Sequence, residues 1–535
     1  MDEETTATIL QARAQTIGDL LRRSAKRFPD KPAIVCGAVR WTYLEFDAIC
    51  NRLARGLLRG GVTKGDRFAV LSRNSHAFAA LRFALAHIGA VMVPINFMLN
   101  ADEIRYILKS SGARRLAVGT DFLETGRAAA EGSPVEELIS LPGEETSEPP
   151  SGMTPFDGVL DADASPPPAE ADGRALAQIV YTSGTESLPK GATLTHEAVL
   201  WQYVSCIIDG GMAAEDLVLH AMPLYHCAQL DVFLGPAVYL GATSIIISKP
   251  TPEIILRQIE TYKITSFFAP PTIWIGLLRS PAFGATQLSS LKKGYYGASI
   301  MPVEVLLEMQ RRLPSIRLWN FYGQTEIAPL ATVLKPEDQL RKAGSAGRAA
   351  LNVETRVVTP NMEDVAVGEI GEIVHRSPHL MSGYYNDPEK TAAAFAGGWF
   401  HSGDLGTIDE DGYITVVDRM KDMIKSGGEN VASREVEEAI YRLPQVSEVA
   451  VVGLPDPKWV EAVAAIIVVK QGQTLTEEAV QKHCAGSMAH FKTPKRVVFV
   501  DNLPRNPSAK LLKRELRQRF ADSGADFKRS QDQMR

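Results

Sequence analysis

Apolar stretches of strand length alternate with amphipathic helical stretches from near the start of the chain, and this alternation leaves few folds open. Residues 44–59 place Phe46, Ile49, Leu53 and Leu57 on one helical face, and Gly60-Gly61 supplies the stop. RFAVLSRN then reads as a buried strand, AFAALRFALAHIG as a helix and AVMVPIN as a further strand. The rhythm recurs around 176–250, where AQIVYT, a helix near 197–208 and DLVLHAMP follow one another. Strand, helix and strand in this order form the unit of a parallel sheet, so an α/β fold is predicted.

Composition narrows the class. The chain has 535 residues, 45% of them apolar and 22% charged, which is ordinary for a globular protein and excludes a disordered chain or a coiled coil. At about 150 residues per domain the length predicts roughly three to four structural units. A net charge of −6 offers no generic surface for nucleic acid or an anionic membrane. Cys36, Cys50, Cys206, Cys227 and Cys484 form no metal-ligand spacing, and Cys50 shares the apolar face of Phe46, Leu53 and Leu57, so a reducing compartment fits. The N-terminal MDEETTATIL is acidic and polar, unlike a leader, and the 17 uncharged residues between Asp231 and Lys249 are broken by Gly235, Pro236 and Gly241. No integral membrane segment is predicted, and a cytoplasmic location is expected.

Two breaks divide the chain. Residues 142–172 hold seven prolines, eight acids and no Lys or Arg, which predicts a solvated loop outside any core. A softer break lies at Asp418-Arg419-Met420-Lys421, after which 432–442 reads as a helix and EVAVVGL and AVAAIIVVK as strands. The predicted domains are 1–420, large, and 421–535, a small α+β unit.

The sharpest local feature is Tyr181-Thr-Ser-Gly-Thr-Glu-Ser-Leu-Pro-Lys190-Gly191, directly after a predicted strand. Hydroxyls, a glycine and a lysine after a strand can converge on an anion, although such a stretch is also an ordinary turn composition. Pro189 stands where a Walker A loop needs glycine, so kinase-type phosphate binding is the wrong pattern. There is no G-x-S-x-G elbow, and His196-Glu-Ala-Val-Leu200 lacks the second histidine of a zincin, which argues against a hydrolase.

The loop resembles the phosphate loop of the adenylate-forming superfamily, and the resemblance continues in the family's order over nearly the whole chain. It takes in Met222-Pro-Leu-Tyr-His226, Gly297-Ala-Ser299, Asn320-Phe-Tyr-Gly-Gln-Thr-Glu326 and Trp399-Phe-His-Ser-Gly-Asp404. Asp418-Arg-Met-Lys421, Lys425-Ser-Gly-Gly-Glu-Asn430 and Leu503-Pro-Arg-Asn-Pro-Ser-Ala-Lys510 complete it. The acyl-CoA synthetase type of the family is the nearest. That resemblance implies a large domain of βαβ sheets with a smaller β-subdomain, and a mobile C-terminal lid. It also implies that a carboxylate attacks the α-phosphate of ATP, releases pyrophosphate and passes as an acyl group to CoA, with Mg²⁺ as cofactor.

Site residues follow from the same resemblance. Thr182, Ser183, Gly184, Thr185, Glu186, Ser187 and Lys190 would surround the β- and γ-phosphates. Mg²⁺ would lie against Glu326, with Thr185 as a second ligand, and Thr325 near the α-phosphate. Tyr322 would stack on adenine opposite Gly297, Ala298 and Ser299, with Asn320, Gly323 and Gln324 beside it. Asp404 would bind the ribose diol, and Arg419 the ribose and phosphate. His226, Asp231, Trp274, Phe321 and Gly323 would face the acid. For Asp231 the alternatives are an amine ligand or a structural acid, and for His226 a hydrogen-bonded core histidine. Lys421 would be the hinge, and Lys425, Ser426, Gly427, Gly428 and Glu429 the pantetheine tunnel.

Two residues depart from the family pattern. Glu186 replaces a threonine and Ala509 a glycine; Glu186 could point away from the phosphates, help hold Mg²⁺ or weaken ATP binding. A mostly apolar pocket predicts a hydrophobic monocarboxylic acid, most simply a medium- or long-chain fatty acid, with a bulky alicyclic or aryl acid also open. Other readings are an enzyme that loads a carrier-protein thiol, and an inactive nucleotide-binding scaffold. An oligomer is possible. Lys510, otherwise one of a run of surface basic residues, would stabilise charge that develops in the transition state. Lys510→Ala is therefore expected to cut the adenylation rate on the order of 10²-fold or more, measured by acid-dependent pyrophosphate exchange.

Overall fold

The computed structural model describes residues 15–144, 150–168, 172–182, 189–299, 301–505 and 511–521, together with Thr5, Ile9, Ala12 and Arg13. Ser183, Gly184, Thr185, Glu186, Ser187 and Lys510 lie outside the described residues.

The predicted alternation builds two mixed sheets. In the first, the strands Arg317–Gly323, Lys293–Gly297, Ser266–Phe268, Leu217–His220, Thr243–Ile246 and Pro32–Cys36 run parallel in that spatial order. Antiparallel strands Leu330–Leu334 and Arg348–Ala349 extend it on one side and Val39–Thr42 on the other. In the second sheet, Leu176–Thr182, Val91–Pro94, Arg67–Leu71, Arg115–Gly119, Glu137–Leu141 and Thr154–Pro155 are parallel. Lys190–Thr195 and Gly383–Tyr384 add antiparallel strands at its other edge.

The helix Tyr43–Arg59 begins at a reciprocal cap between Thr42 and Glu45 and ends at Gly60, as its pattern predicts. The helix His76–Ile88 is capped by Ser75 and closed by Gly89 at φ +68°. Phe46, Leu53, Phe78 and Phe83 from these helices join one core with Ile34 and Ile246 of the first sheet and Phe68, Val70 and Met92 of the second. Asn74, buried in the loop after Arg67–Leu71, ties the sheets together. Its amide nitrogen reaches the carbonyls of Met222 (2.9 Å) and Ile247 (3.1 Å), and its oxygen accepts from the Leu224 backbone at 2.7 Å.

An antiparallel sheet of Glu354–Val358, Gly371–Arg376, Phe400–Ile408 and Ile414–Arg419 follows. After it, Ile424–Ser426, Glu429–Val431, Val446–Asp456, Val460–Val469 and Arg496–Phe499 form a sheet of their own, packed by the helices Ser433–Tyr441 and Glu477–Ser487.

The acidic segment departs from its expectation. Met153, Phe156 and Val159 are buried, and Thr154–Pro155 is an edge strand of the second sheet. Basic side chains of the helix Tyr43–Arg59 hold the stretch around Asp161 and Asp163: Arg52 donates to the Asp161 carbonyl (2.6 Å), Arg55 pairs with Asp163 (3.2 Å), and Arg59 pairs with Asp161. Two of the acids, Asp161 and Asp163, meet arginines here rather than water alone, and three apolar residues, Met153, Phe156 and Val159, are buried among the prolines. Contact is so close that a Cβ on Gly56 would lie 1.6 Å from the Val159 carbonyl oxygen. Gly56→Ala is expected to destabilise the protein by about 1–3 kcal/mol, read as a lower denaturant midpoint.

Candidate active site

A cavity of about 410 Å³ opens where the carboxyl ends of the parallel strands of both sheets meet. This is where open α/β sheets bind ligands, because neighbouring connections diverge there and leave a crevice. Thr182 comes to it from the second sheet; Phe268, Gly297 and the run Phe321–Glu326 come from the first. Gly297 is required by packing, since a Cβ there would lie 2.4 Å from the Phe321 carbonyl oxygen.

One part of the lining is polar. Strands Phe400–Ile408 and Ile414–Arg419 pair with Asp404 opposite Arg419, so their side chains meet, with Arg419 Nε 3.2 Å from the carboxylate. Tyr322 donates its hydroxyl to the same carboxylate at 2.7 Å. Burial first, and then the Asp404 charge, push the Tyr322 phenol well above its ordinary pKa, so it stays a donor. Asp404 itself sits just behind the lining, with Ser402, Tyr322 and Arg419 at the surface of the cavity. Gln324 lines the cavity with a buried amide nitrogen that has no partner among the described residues.

Glu326 is nearly buried and accepts the Tyr384 hydroxyl at 2.9 Å on Oε1, while Oε2 accepts nothing among the described residues. The ammonium of Lys190 lies over the Tyr384 ring, 5.0 Å from its centre. Tyr384 thus links the carboxylate at the end of one sheet to the lysine on the edge of the other. Burial and the Glu326 charge raise its pKa far above the ordinary phenol. Sequence reasoning missed Tyr384; its signal was only an aromatic pair beside Gly383, on a strand too short to read. One carboxylate whose second oxygen accepts nothing among the described residues suits Mg²⁺, which takes few protein ligands and prefers phosphate and water oxygens. No cluster of three His, Cys, Asp or Glu occurs among the described residues.

The other part of the lining is apolar: Ala228, Val232, Phe233, Phe268, Phe321 and Leu330. Phe233 stacks on Phe268 with ring centres 4.6 Å apart and lies 6.1 Å from Phe321. His226 borders this part, and its Nδ1 accepts from the Ala228 backbone at 3.1 Å. A neutral ring with Nδ1 accepting carries its proton on Nε2. Cys227 bonds Thr325 (Sγ to Oγ1 3.4 Å), and burial pushes its thiol up to about 12, so it remains protonated.

Several expected residues lie elsewhere. Asp231 is wholly buried behind the cavity, with its oxygens taken by Arg82 (2.8 Å), Gln178 (2.7 Å) and Tyr203 (3.3 Å), so it has none to offer an amine. Trp274 is 1% exposed and donates to the Tyr295 carbonyl at 3.1 Å, as core rather than pocket wall. Asn320 is turned to the Ser345 carbonyl (3.2 Å). Ala298 lines the cavity at φ +63°, while Ser299 is exposed outside it. Lys421 reaches the lining. Lys425, Ser426, Gly427, Gly428 and Glu429 form a hairpin away from it, with Gly427 N bonded to the Trp459 carbonyl at 2.8 Å.

Fold and cavity together define an α/β protein with one crevice in which a polar lining joins an apolar one. Residues 21–385 match the AMP-binding enzyme family, and residues 435–510 match the AMP-binding enzyme C-terminal domain. The chain is 36% identical to a feruloyl-CoA synthase of Amycolatopsis sp, over 95% of this chain and all of that one. It is also 36% identical to the long-chain-fatty-acid–CoA ligase FadD13 of Mycobacterium tuberculosis, over 95% of this chain and 99% of the relative. The anthranilate CoA ligase AuaEII, solved with anthranoyl-AMP, superposes with a TM-score of 0.89 at 25% identity, covering 96% of this chain and 98% of that one. The chain belongs to the AMP-binding enzymes of acyl-CoA ligase type. Its class is that of AMP-forming acid–thiol ligases, with ATP and CoA as cosubstrates.

Because the Tyr384 hydroxyl supports a carboxylate, its loss should weaken the site without unfolding it. Tyr384→Phe is expected to reduce kcat/KM for ATP about tenfold, the cost of one hydrogen bond to a charged group, in pyrophosphate-exchange kinetics.

Proposed function

We propose that the chain condenses a hydrophobic monocarboxylic acid with ATP to an acyl-adenylate and pyrophosphate, and then transfers the acyl group to CoA. The observation that carries this reading is the division of one cavity: charged residues, Lys190, Glu326, Arg419 and Lys421, belong to its polar part, and Phe233, Phe268 and Phe321 to its apolar part. Among the described residues, the apolar part of the lining, with Val232, Phe233, Phe268 and Phe321, includes no cation to receive a second carboxylate.

In this reading Tyr322 and Asp404 receive the nucleoside, the phenol held rigid by the bond that it donates. Arg419 and Lys190 offset the phosphate charge, and Gln324 donates from an amide that has no partner among the described residues. Glu326 would hold Mg²⁺, which when bound neutralises phosphate charge and orients the oxygens. His226, with its proton on Nε2, would donate to the acid's carboxylate and aim it at the α-phosphorus. Lys510 would stabilise the charge that develops between the two, as the family resemblance implies. These contributions are positional and electrostatic, which is what phosphoryl chemistry requires.

The phenylalanine stack favours an acid that ends in a planar ring, because an aryl group adds to such a stack with little loss of freedom. The 36% identity to both a feruloyl-CoA synthase and a long-chain-fatty-acid ligase keeps an alkyl chain as the second reading. A panel of aryl, alicyclic and straight-chain acids, assayed by pyrophosphate release with and without CoA, separates them. AMP and pyrophosphate are expected as products, with the highest kcat/KM for an aryl or aryl-alkenoic acid. ADP as product would overturn the reading. Thioester formed only with a holo-carrier protein would move the acceptor from CoA to the carrier.

A further inference from the structure

The helix His76–Ile88 is buried on almost every side and yet carries an arginine at its centre, Arg82, which is 2% exposed. Its partner, Asp231, is 0% exposed and lies in a π-helical turn, Leu230–Leu234. Two neighbours of Asp231 in that turn, Val232 and Phe233, line the cavity. The turn is widened, with Gly235 N bonded to the Leu230 carbonyl five residues back. Pro236 follows and has no N–H, so the Asp231 carbonyl finds no donor five residues ahead. The Gln202 amide, in the orientation that satisfies both of its ends, reaches that carbonyl at 3.0 Å.

Three separate elements grip the Asp231 carboxylate. Arg82 comes from the helix His76–Ile88, Gln178 from the strand Leu176–Thr182 and Tyr203 from the helix His196–Gly210. Tyr203 also packs on Gly235, where a Cβ would lie 2.0 Å from its ring. A buried ion pair is seldom more stabilising than apolar residues of the same size, so its contribution here is direction rather than strength. Direction matters at this place. Adding or removing one residue of helical winding turns the side chains that follow by about 100°, which would carry Phe233 off its stack with Phe268.

We propose that the buried Arg82–Asp231 pair, with Gln178 and Tyr203, is a positioning device for the acyl pocket, holding the π-turn in the register that faces Val232 and Phe233 into the cavity. The proposal rests on the reading of the apolar lining as the acyl site. Its residues act through the pocket wall and do not touch the substrate.

The test uses the full-length enzyme, a phenylalkanoic acid and a straight-chain fatty acid, with pyrophosphate release as the readout. Arg82→Met/Asp231→Leu removes both charges together, leaving the Gln178 amide and the Tyr203 hydroxyl without their carboxylate, Tyr203→Phe removes one hydrogen bond, and Phe233→Ala alters the wall directly. The KM for acid is expected to rise about tenfold in the double variant and about threefold in Tyr203→Phe, with KM for ATP within about twofold of the parent. The preference between the two acids should shift in both. Should the double variant fail to fold, Tyr203→Phe decides. Unchanged acid KM and preference in these variants, against a change in Phe233→Ala, would overturn the positioning role and leave the acyl site standing. No change in Phe233→Ala either would overturn the acyl-site reading and the proposal with it. Reduced thermal stability with both KM values unchanged also counts against the proposal.

Discussion

Two sheets can share one ligand crevice only if their carboxyl edges are held together, and Asn74 is where this constraint is met. A single buried amide at the end of a strand in one sheet satisfies the backbone of Met222, Leu224 and Ile247 beyond the strands of the other. Backbone groups so placed would otherwise be buried without partners, at a cost comparable to several lost hydrogen bonds. Asn74 also fixes the loop that runs on to His226, so the joint between the sheets and one wall of the cavity are the same piece of structure. Tyr384 repeats the arrangement at the front of the crevice, from the edge strand of one sheet to Glu326 at the end of the other.

Within that frame, local register does the remaining placement. Cross-strand pairing puts Arg419 opposite Asp404, and Tyr322 completes the cluster from the neighbouring sheet. On the apolar side, Phe233, Phe268 and Phe321 arrive from a helical turn and two strand ends, and stack into one wall. His226 and Thr325 line the same cavity. In the proposed reading, a reacting carboxylate beside them would have its acyl body among phenyl rings and its oxygens toward Lys190 and Arg419.

Much of the frame was legible because it depends on local pattern. The helix Tyr43–Arg59 and the strands Arg67–Leu71 and Val91–Pro94 follow from periodicity and glycine stops alone. The strand Lys190–Thr195 was not read, since its glycine and threonines carry little hydrophobic alternation and its pairing is set by the hairpin. Within 142–172 the stretch from Met153 to Asp163 was misread, because composition cannot show that arginines on a distant helix will meet Asp161 and Asp163. Asp231 and Trp274 lie close in sequence to residues of the cavity's apolar lining, yet their side chains are buried in the core. Tyr384 is the converse, far from Glu326 in sequence and bonded to it in space. Such pairings depend on tertiary register, which a single sequence does not display.

The central claim is that the acid's own oxygen attacks the α-phosphate. Turnover of an acid labelled with ¹⁸O in its carboxylate measures this directly, by mass spectrometry of the nucleotide and phosphate products. The account predicts one labelled oxygen in AMP and none in pyrophosphate. Label in orthophosphate accompanied by ADP, or unlabelled AMP, would contradict it.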